Sequence, residues 1–492
     1  MHNSLDKNSK QCLGDIGFDG FFALFLFMSL PDQSNASQPG GAWAAAGLGM
    51  ESIILREETP SPTPRTSLLA PTALKAFLAA TIGYSLYYIC RLSLSVVKGP
   101  LIGEGLFTEF ELGLIGSALF YSYAIGKLVN GFLADRVNVR KFATWGLLVS
   151  AIINLALGFH TGFYFFFILW LVNGWVQSIG APAFIIGMTR WFSEKERGTY
   201  YGFWSASHNI GEGMTFVLTA IVVSSLGWRQ GWFLSAALGF LGVLIIWFFF
   251  RENPAFCAPC PKLDADAEVK PPDVHNAHSR LLRNPMVWLI SLASMFMYVS
   301  RYSVNSWGIF FLEKSKDYSI EQASMIVSVA SIFGVAGTVT SGWLSDKFFN
   351  GDRAVPTVLA GALNAFSLAL FVLTPHFVIL DVGCMVVFGV TIGALICYLG
   401  GLMAVDIADK GATGAALGIV GMASYAGAGS QDVISGYLIG ANKSIVDGAS
   451  QYNFLPMGIF WITCASLSVL MSVIAWRLQR RKRRYGEKPV LT

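Results

Sequence analysis

The chain has 492 residues, 54% of them hydrophobic and 13% charged, with a formal charge of +4 and a mean hydropathy of +0.55. Soluble domains carry about 25% charged residues, so the composition excludes an ordinary cytosolic enzyme, a nucleic-acid binder and a disordered protein. Its 38 Phe, 14 Trp and 51 Gly suit helices that pack closely in lipid with aromatic rings at the edges. Seven cysteines, scattered through apolar stretches and loops, imply no disulfide framework.

In chain order, residues 1–70 read as a disordered extension. The apolar run 21–30 is too short to span a bilayer. It follows Asp15 and Asp19 rather than the basic stretch of a signal peptide. Residues 31–66 are rich in Pro, Ser and Gly, and Met50 is a candidate start because every recognisable feature lies after it. Twelve stretches then have the length and apolarity of spanning helices. They are predicted at 73–97, 111–134, 142–159, 162–187, 199–225 and 230–250, then 285–311, 321–345, 355–374, 377–404, 413–440 and 455–477. The expected architecture is an all-α membrane protein of twelve transmembrane helices in two pseudo-symmetric six-helix bundles, 71–250 and 285–478. A polar linker at 251–284 joins them and a basic tail at 479–492 follows.

Within the linker, Cys257, Cys260, His275 and His278 superficially resemble a zinc site. The residues between have no apolar set for a finger core and the His pair is too close, so a plain linker is expected, with no metal and no cofactor. Loop charge sets orientation. The linker, the tail and the connections on the same side carry 21 Lys and Arg, whereas the alternate loops carry five: Lys98, Arg229, Lys314, Lys316 and Lys443. Both termini and the linker are therefore expected in the cytoplasm. The tail sequence RRKRR reads as a stop-transfer and headgroup anchor, not a nucleic-acid patch.

Three features recur between the halves at nearly one offset. Arg91 in the first span matches Arg301 in the seventh, 210 residues on. The turn from Gly131 through Asp135 to Arg136 recurs from Gly342 through Asp346 to Lys347, at 211. Glu196-Arg197-Gly198 recurs as Asp409-Lys410-Gly411, at 213. Six spans per half make the repeats parallel, a construction used by transporters that bind near the midplane.

A basic side chain at the centre of a spanning helix costs about 2.5–3.5 kcal/mol on insertion scales, so it normally faces a cavity or a partner. Arg91 lies in the outer half of the first span, with Lys98 and Pro100 beyond it as the expected interface. Arg301 lies mid-span, and Lys127 in the second. Three cations from three helices call for an anion, and the planar guanidinium fork suits phosphate oxygens. Two arginines from symmetry-related helices can grip one phosphate from both halves. The competing reading pairs each cation with a buried carboxylate, Glu212 or Asp432. Lys127 has two further alternatives, snorkelling or pairing with Asp432. Tyr84 and Tyr88 share a helical face with Arg91, and Tyr298 stands three before Arg301. An aromatic interface belt suits Tyr87 better than Tyr88.

At these residues the chain resembles the major facilitator superfamily. The carrying motifs are Gly-x-x-x-Asp-Arg-x-x-x-Arg-Lys at 131–141 and GWLSDKFFNGDR at 342–353. Tyr-Tyr-x-x-Arg at 87–91, RWFSEKERG at 190–198, WSASHNIG at 204–211 and Gly-Trp-Arg-x-x-Trp-Phe at 227–233 join them. GWLSDKFFNGDR and this second set resemble the organophosphate:phosphate antiporter branch, with its bacterial hexose-phosphate and glycerol-phosphate transporters and hexose-phosphate sensor. The resemblance covers about residues 70–480. It implies exchange of a phosphorylated sugar or polyol for inorganic phosphate in a bacterial inner membrane, by a monomer. It also leaves open a receptor that signals to a histidine-kinase partner. Arg91, Arg301 and Lys127 fall on the family's substrate-contacting positions. His208 falls on one tied to binding and proton sensing, and Tyr425 also matches. Tyr398 is a further candidate for the cavity wall. Asp135 with Arg136, and Asp346 with Lys347, are by the same analogy a cytoplasmic charge latch. The chain departs from the pattern at Gly180-Ala181-Pro182, at Asp432 and at Glu212, which leaves the choice among sugar phosphates open. No nucleophile, base and orienter can be assembled from the loops, so an enzyme is not expected.

Overall fold

A computed structural model describes residues 71–134, 136–192, 194–251, 274–349, 352–408, 412–447 and 449–484. The extension 1–70, Cys257 and Cys260, the side chains of His275 and His278, Asp135, Asp409 and Lys410, and the end of the tail lie outside them.

The first six spans are α1 (Pro71–Gly103), α2 (Glu109–Ala134), α3 (Val139–Leu157), the pair α4 (Phe163–Gln177) and α5 (Gly180–Thr189), α6 (Glu194–Leu226) and α7 (Trp228–Phe249). A ten-residue helix α8 (Val274–Arg283) precedes the second set. That set is α9 (Pro285–Ser315), α10 (Ile320–Phe349), α11 (Ala354–Leu373), α12 (Val378–Cys397) with a π segment and α13 (Met403–Asp406), α14 (Thr413–Ala441) and α15 (Leu455–Arg484). Eleven of the described spans are long and apolar enough to cross a membrane. The twelfth expected span is α14, which has 29 residues but dilutes its apolarity with glycines, Gln431 and Asp432. Large apolar side chains such as Phe132, Trp145, Ile379 and Phe366 stand exposed on the outer faces. Nothing but lipid tails would favour that arrangement.

Helix starts repeat between the halves. Thr108 and Glu111 form a reciprocal capping box at α2, backbone N–H to side chain in both directions at 2.8 and 3.2 Å. Ser319 and Gln322 do the same at α10, at 3.1 and 3.3 Å. Each box satisfies two otherwise orphaned amides, and the two lie 211 residues apart, the offset of the loop repeat. The fourth span breaks at Ser178 and Ile179 because Pro182 has no N–H to continue the ladder. Ser178 Oγ, donating to Trp175 O at 2.7 Å, closes the end of α4. Gly227, with φ of 90°, lets the chain pass from α6 to α7 in a single residue.

The bundles meet along two seams, α2 against α14 and α6 against α10. At the end away from the chain termini the first seam is clasped. A hairpin, β1 (Lys443–Val446) with β2 (Ala449–Tyr452), joins α14 to α15, a feature the sequence reading did not foresee. Its Lys443 Nζ and Tyr452 Oη both donate to Glu109 Oε1 of the other bundle, at 2.9 and 2.7 Å. Burial and this hydrogen bond hold the Tyr452 phenol above its ordinary pKa.

Two lysines counted as loop charges are buried against carboxylates. Lys98 is wholly buried and its Nζ lies 2.7 Å from Asp432 Oδ1 across the seam. Helix α1 runs five residues past it, so its charge is met by a carboxylate and not by headgroups. Lys316 is buried beside Asp381 Oδ1 at 2.5 Å, with Tyr318 donating to the other oxygen. Charge sign along the sequence does not distinguish a loop lysine from one whose counter-ion arrives from a distant helix. Even without these two, the bias between the alternate sets of connections remains.

Candidate functional site

Each arginine is set by the residue before it. Cys90 O accepts hydrogen bonds from Asn154 Nδ2 of α3 at 2.9 Å and Asn173 Nδ2 of α4 at 3.0 Å. Ser300 Oγ donates to Asn364 Oδ1 of α11 at 3.0 Å. Asn154 and Asn364 are 210 residues apart and both are buried. A buried amide must be paired, and here the pairing fixes the rotation of α1 and α9, which aims Arg91 and Arg301 at the junction of the bundles. The sequence reading missed these asparagines, although two lone Asn in apolar helices at the repeat offset were a readable signal.

Arg91 is 3% exposed and no carboxylate pairs with it among the described residues. Its guanidinium lies over Tyr123 at 4.3 Å, Tyr88 and Tyr425 at 5.4 Å, and Phe120 at 5.8 Å. Its Nη2 donates to Tyr302 Oη at 3.1 Å, and its buried Nε has no partner. Tyr123, Phe120 and Tyr302 were not singled out from sequence. Tyr302 follows Arg301 directly and is turned toward the other bundle's arginine. The rings offer quadrupole faces to a cation, which stabilises the guanidinium without occupying its anion-binding edge.

Arg301 is differently placed. Its Nη2 donates to Glu212 Oε2 at 3.0 Å, and Ser331 of α10 donates to Glu212 Oε1 at 2.7 Å. The ion pair spans the bundles, α9 to α6. Two equivalent open arginines, as expected from the repeat, are therefore not what the structure contains: Arg301 already holds an anion. The two guanidinium carbons lie 6.0 and 5.3 Å from the same Tyr302 ring centroid, so both arginines meet one ring. Arg301 also lies 6.0 Å from the Tyr298 ring, and Tyr298 meets Tyr425 at 5.4 Å. Tyr425 in turn lies 5.5 Å from Lys127 Nζ. Arg91, Arg301, Tyr88, Tyr298, Tyr425 and Glu212 thus form one buried cluster at the bundle junction, with Lys127 exposed at its edge.

The other candidates are placed apart or differently. His208 meets Tyr88 at 5.8 Å and joins the rim of the cluster. Tyr84, two turns along α1 from Arg91, stacks on Trp204 at 4.7 Å and meets Tyr88 edge-on at 5.5 Å, on the same rim. Tyr87 is no belt residue: it is buried and donates to Ala143 O at 2.5 Å. Tyr398 does not line the site, since its buried hydroxyl donates to Ser341 O at 2.7 Å. Lys127 does not pair with Asp432, which belongs to Lys98. Asp346 is exposed and holds Ser345 Oγ at 3.4 Å. Lys347 lies 4.7 Å from the Trp343 ring, and Arg136 is exposed. No ion pair joins these three to described residues. Arg353 Nη1 pairs instead with Asp406 Oδ2 at 2.6 Å, at the corresponding end of the second bundle. No group of three metal-ligating side chains occurs among the described residues.

Two six-helix halves about a shared central site define a transporter fold, a multi-pass membrane protein and not an enzyme. The chain belongs to the Major Facilitator Superfamily, whose description matches residues 73–430. It is 30% identical over 437 residues to a "Probable hexose phosphate transport protein" of Chlamydia pneumoniae, covering 84% of this chain and 92% of that protein. It is likewise 30% identical over 359 residues to the "Membrane sensor protein UhpC" of Salmonella typhimurium, covering 70% of this chain and 81% of the other. Among solved structures it is similar to an inward-facing, unoccupied bacterial homolog of the human lysosomal transporter Spinster. The TM-score is 0.68 at 17% identity, over 84% of this chain and 98% of that one.

Proposed function

We propose that this protein exchanges a phosphorylated sugar or polyol, foremost a hexose 6-phosphate, for inorganic phosphate by alternating access. On this reading it is a monomer in a bacterial inner membrane with both termini in the cytoplasm. The observation that carries the proposal is Arg91, a buried guanidinium ringed by aromatic faces with no carboxylate among the described residues to neutralise it. A phosphate carries about −1.5 to −2 charge near neutral pH and supplies the missing anion. Lys127 and Arg301 lie where they add to its field. Because the cluster draws on both bundles, an anion held there couples occupancy to their relative movement.

The similarity to a membrane sensor supports a second reading, a hexose-phosphate receptor acting through a sensor kinase. Counterflow separates the two. Purified protein in phosphate-loaded liposomes accumulates labelled glucose 6-phosphate if it is a transporter. A receptor binds the sugar phosphate and moves little of it.

A further inference from the structure

Resting on the transport reading, we propose that Glu212 makes the site select phosphate monoesters with no further acidic group and reject phosphorylated carboxylic acids. The argument is one of charge and position. Asp432 and Lys98 neutralise each other elsewhere on the seam. That leaves buried Arg91 and Arg301, with solvent-exposed Lys127 at their edge, against buried Glu212, three cations to one anion. A doubly ionised phosphate monoester closes that balance. A third negative charge does not, and it would be buried beside a carboxylate that is itself buried.

Position strengthens this. Arg91 has an unpartnered buried Nε and no acid, so it takes the phosphoryl group. The far end of the substrate then lies toward Arg301, which meets the same Tyr302 ring. There Glu212 occupies Nη2 of Arg301 and is anchored by Ser331. A substrate hydroxyl arriving at that point can donate to Glu212. A substrate carboxylate meets a like charge in a low-dielectric site, where two carboxylates cannot both stay ionised without cost, and specificity by repulsion of the wrong partner follows. The carboxylate is also a departure from the internal symmetry. At the 213-residue offset of the last repeat, the counterpart of Glu212 is Tyr425. One bundle thus presents a phenol to Arg91, and the other presents an acid to Arg301.

The test uses the full chain in phosphate-loaded liposomes exchanging labelled phosphate. Two matched pairs compete: glycerol 3-phosphate against 3-phosphoglycerate, and sorbitol 6-phosphate against 6-phosphogluconate. Within each pair one terminal CH2OH becomes a carboxylate, so charge is varied at nearly constant size. The readout is the ratio of half-inhibitory concentrations, acid over alcohol, which does not depend on how much protein is active. The expected ratio is more than tenfold in the unaltered protein for the pair of accepted length. It falls at least tenfold in Glu212→Gln and is retained in Glu212→Asp. A ratio near one in the unaltered protein overturns the inference, and so does an unchanged ratio in Glu212→Gln. The first of these needs no variant to fold. Phosphate exchange that is absent altogether overturns the transport reading itself, a distinct result from exchange without discrimination.

Discussion

Lys98 Nζ and Asp432 Oδ1 lie 2.7 Å apart across the junction of the two bundles, both essentially without solvent exposure. Ser306 Oγ and Trp307 Nε1 donate to the same carboxylate oxygen, at 2.8 and 2.5 Å. The carboxylate fits because Gly116 of α2 has no side chain; a Cβ there would collide with Asp432 Oδ2. Removing one partner of such a pair leaves an uncompensated buried charge, at a cost of about 3–5 kcal/mol. Asp432→Asn is therefore expected to lower the melting temperature of the detergent-solubilised protein strongly. The double replacement Lys98→Met with Asp432→Leu should recover more than half of that loss. A single variant that melts like the parent would contradict the assignment.

The asparagine supports give a second test. Asn154→Leu removes one of the two side-chain donors to Cys90 O and the acceptor of the buried Ser93 hydroxyl, and Asn364→Leu releases Ser300. Each is expected to cost about 1–3 kcal/mol of stability, the penalty of an unsatisfied buried polar group. Each should also reduce phosphate exchange about tenfold while Arg91 and Arg301 are intact. Exchange kinetics beside a melting curve distinguish this from a purely structural role, because Asn→Asp replacements that restore an acceptor should not restore the donor to Cys90 O.

Packing within each bundle provides a third. A Cβ at Gly174 would run into Leu119 O, and one at Gly389 into Ala330 O. These close approaches join α4 to α2 and α12 to α10 in corresponding places of the two halves. Gly389→Val is expected to prevent accumulation of folded protein, since overpacking alone costs about 1–3 kcal/mol and backbone has little freedom to yield. Gly383→Ala, on the same helix with open space around it, should behave as the parent. Fluorescence-detected size exclusion reads both.

How far the sequence could be read follows from these particulars. Apolar runs mark the spans because lipid imposes length and composition directly, and the repeat offsets mark Arg91 and Arg301 because symmetry acts on sequence. What they do not carry is the partner across a seam. Glu212 meets Arg301 over 89 residues, and Asp432 meets Lys98 over 334. The local sequence around Lys98, close to Pro100 and a loop, resembles an interface whatever its distant partner is. Tyr302 was passed over for a similar reason. Its period along α9 assigns it a face, while its hydrogen bond to Arg91 depends on how the bundles dock. Asp346 illustrates the converse, a motif plain in the sequence whose carboxylate forms no ion pair with described residues.

The central claim is that Arg91 is the open anion anchor, and one measurement reaches it most directly: phosphate counterflow by Arg91→Lys in proteoliposomes. Lysine keeps the charge but loses the planar fork that binds two oxygens at once. The account expects exchange to fall at least a hundredfold with the melting temperature nearly unchanged, since no carboxylate among the described residues depends on Arg91. Exchange within threefold of the parent would contradict it.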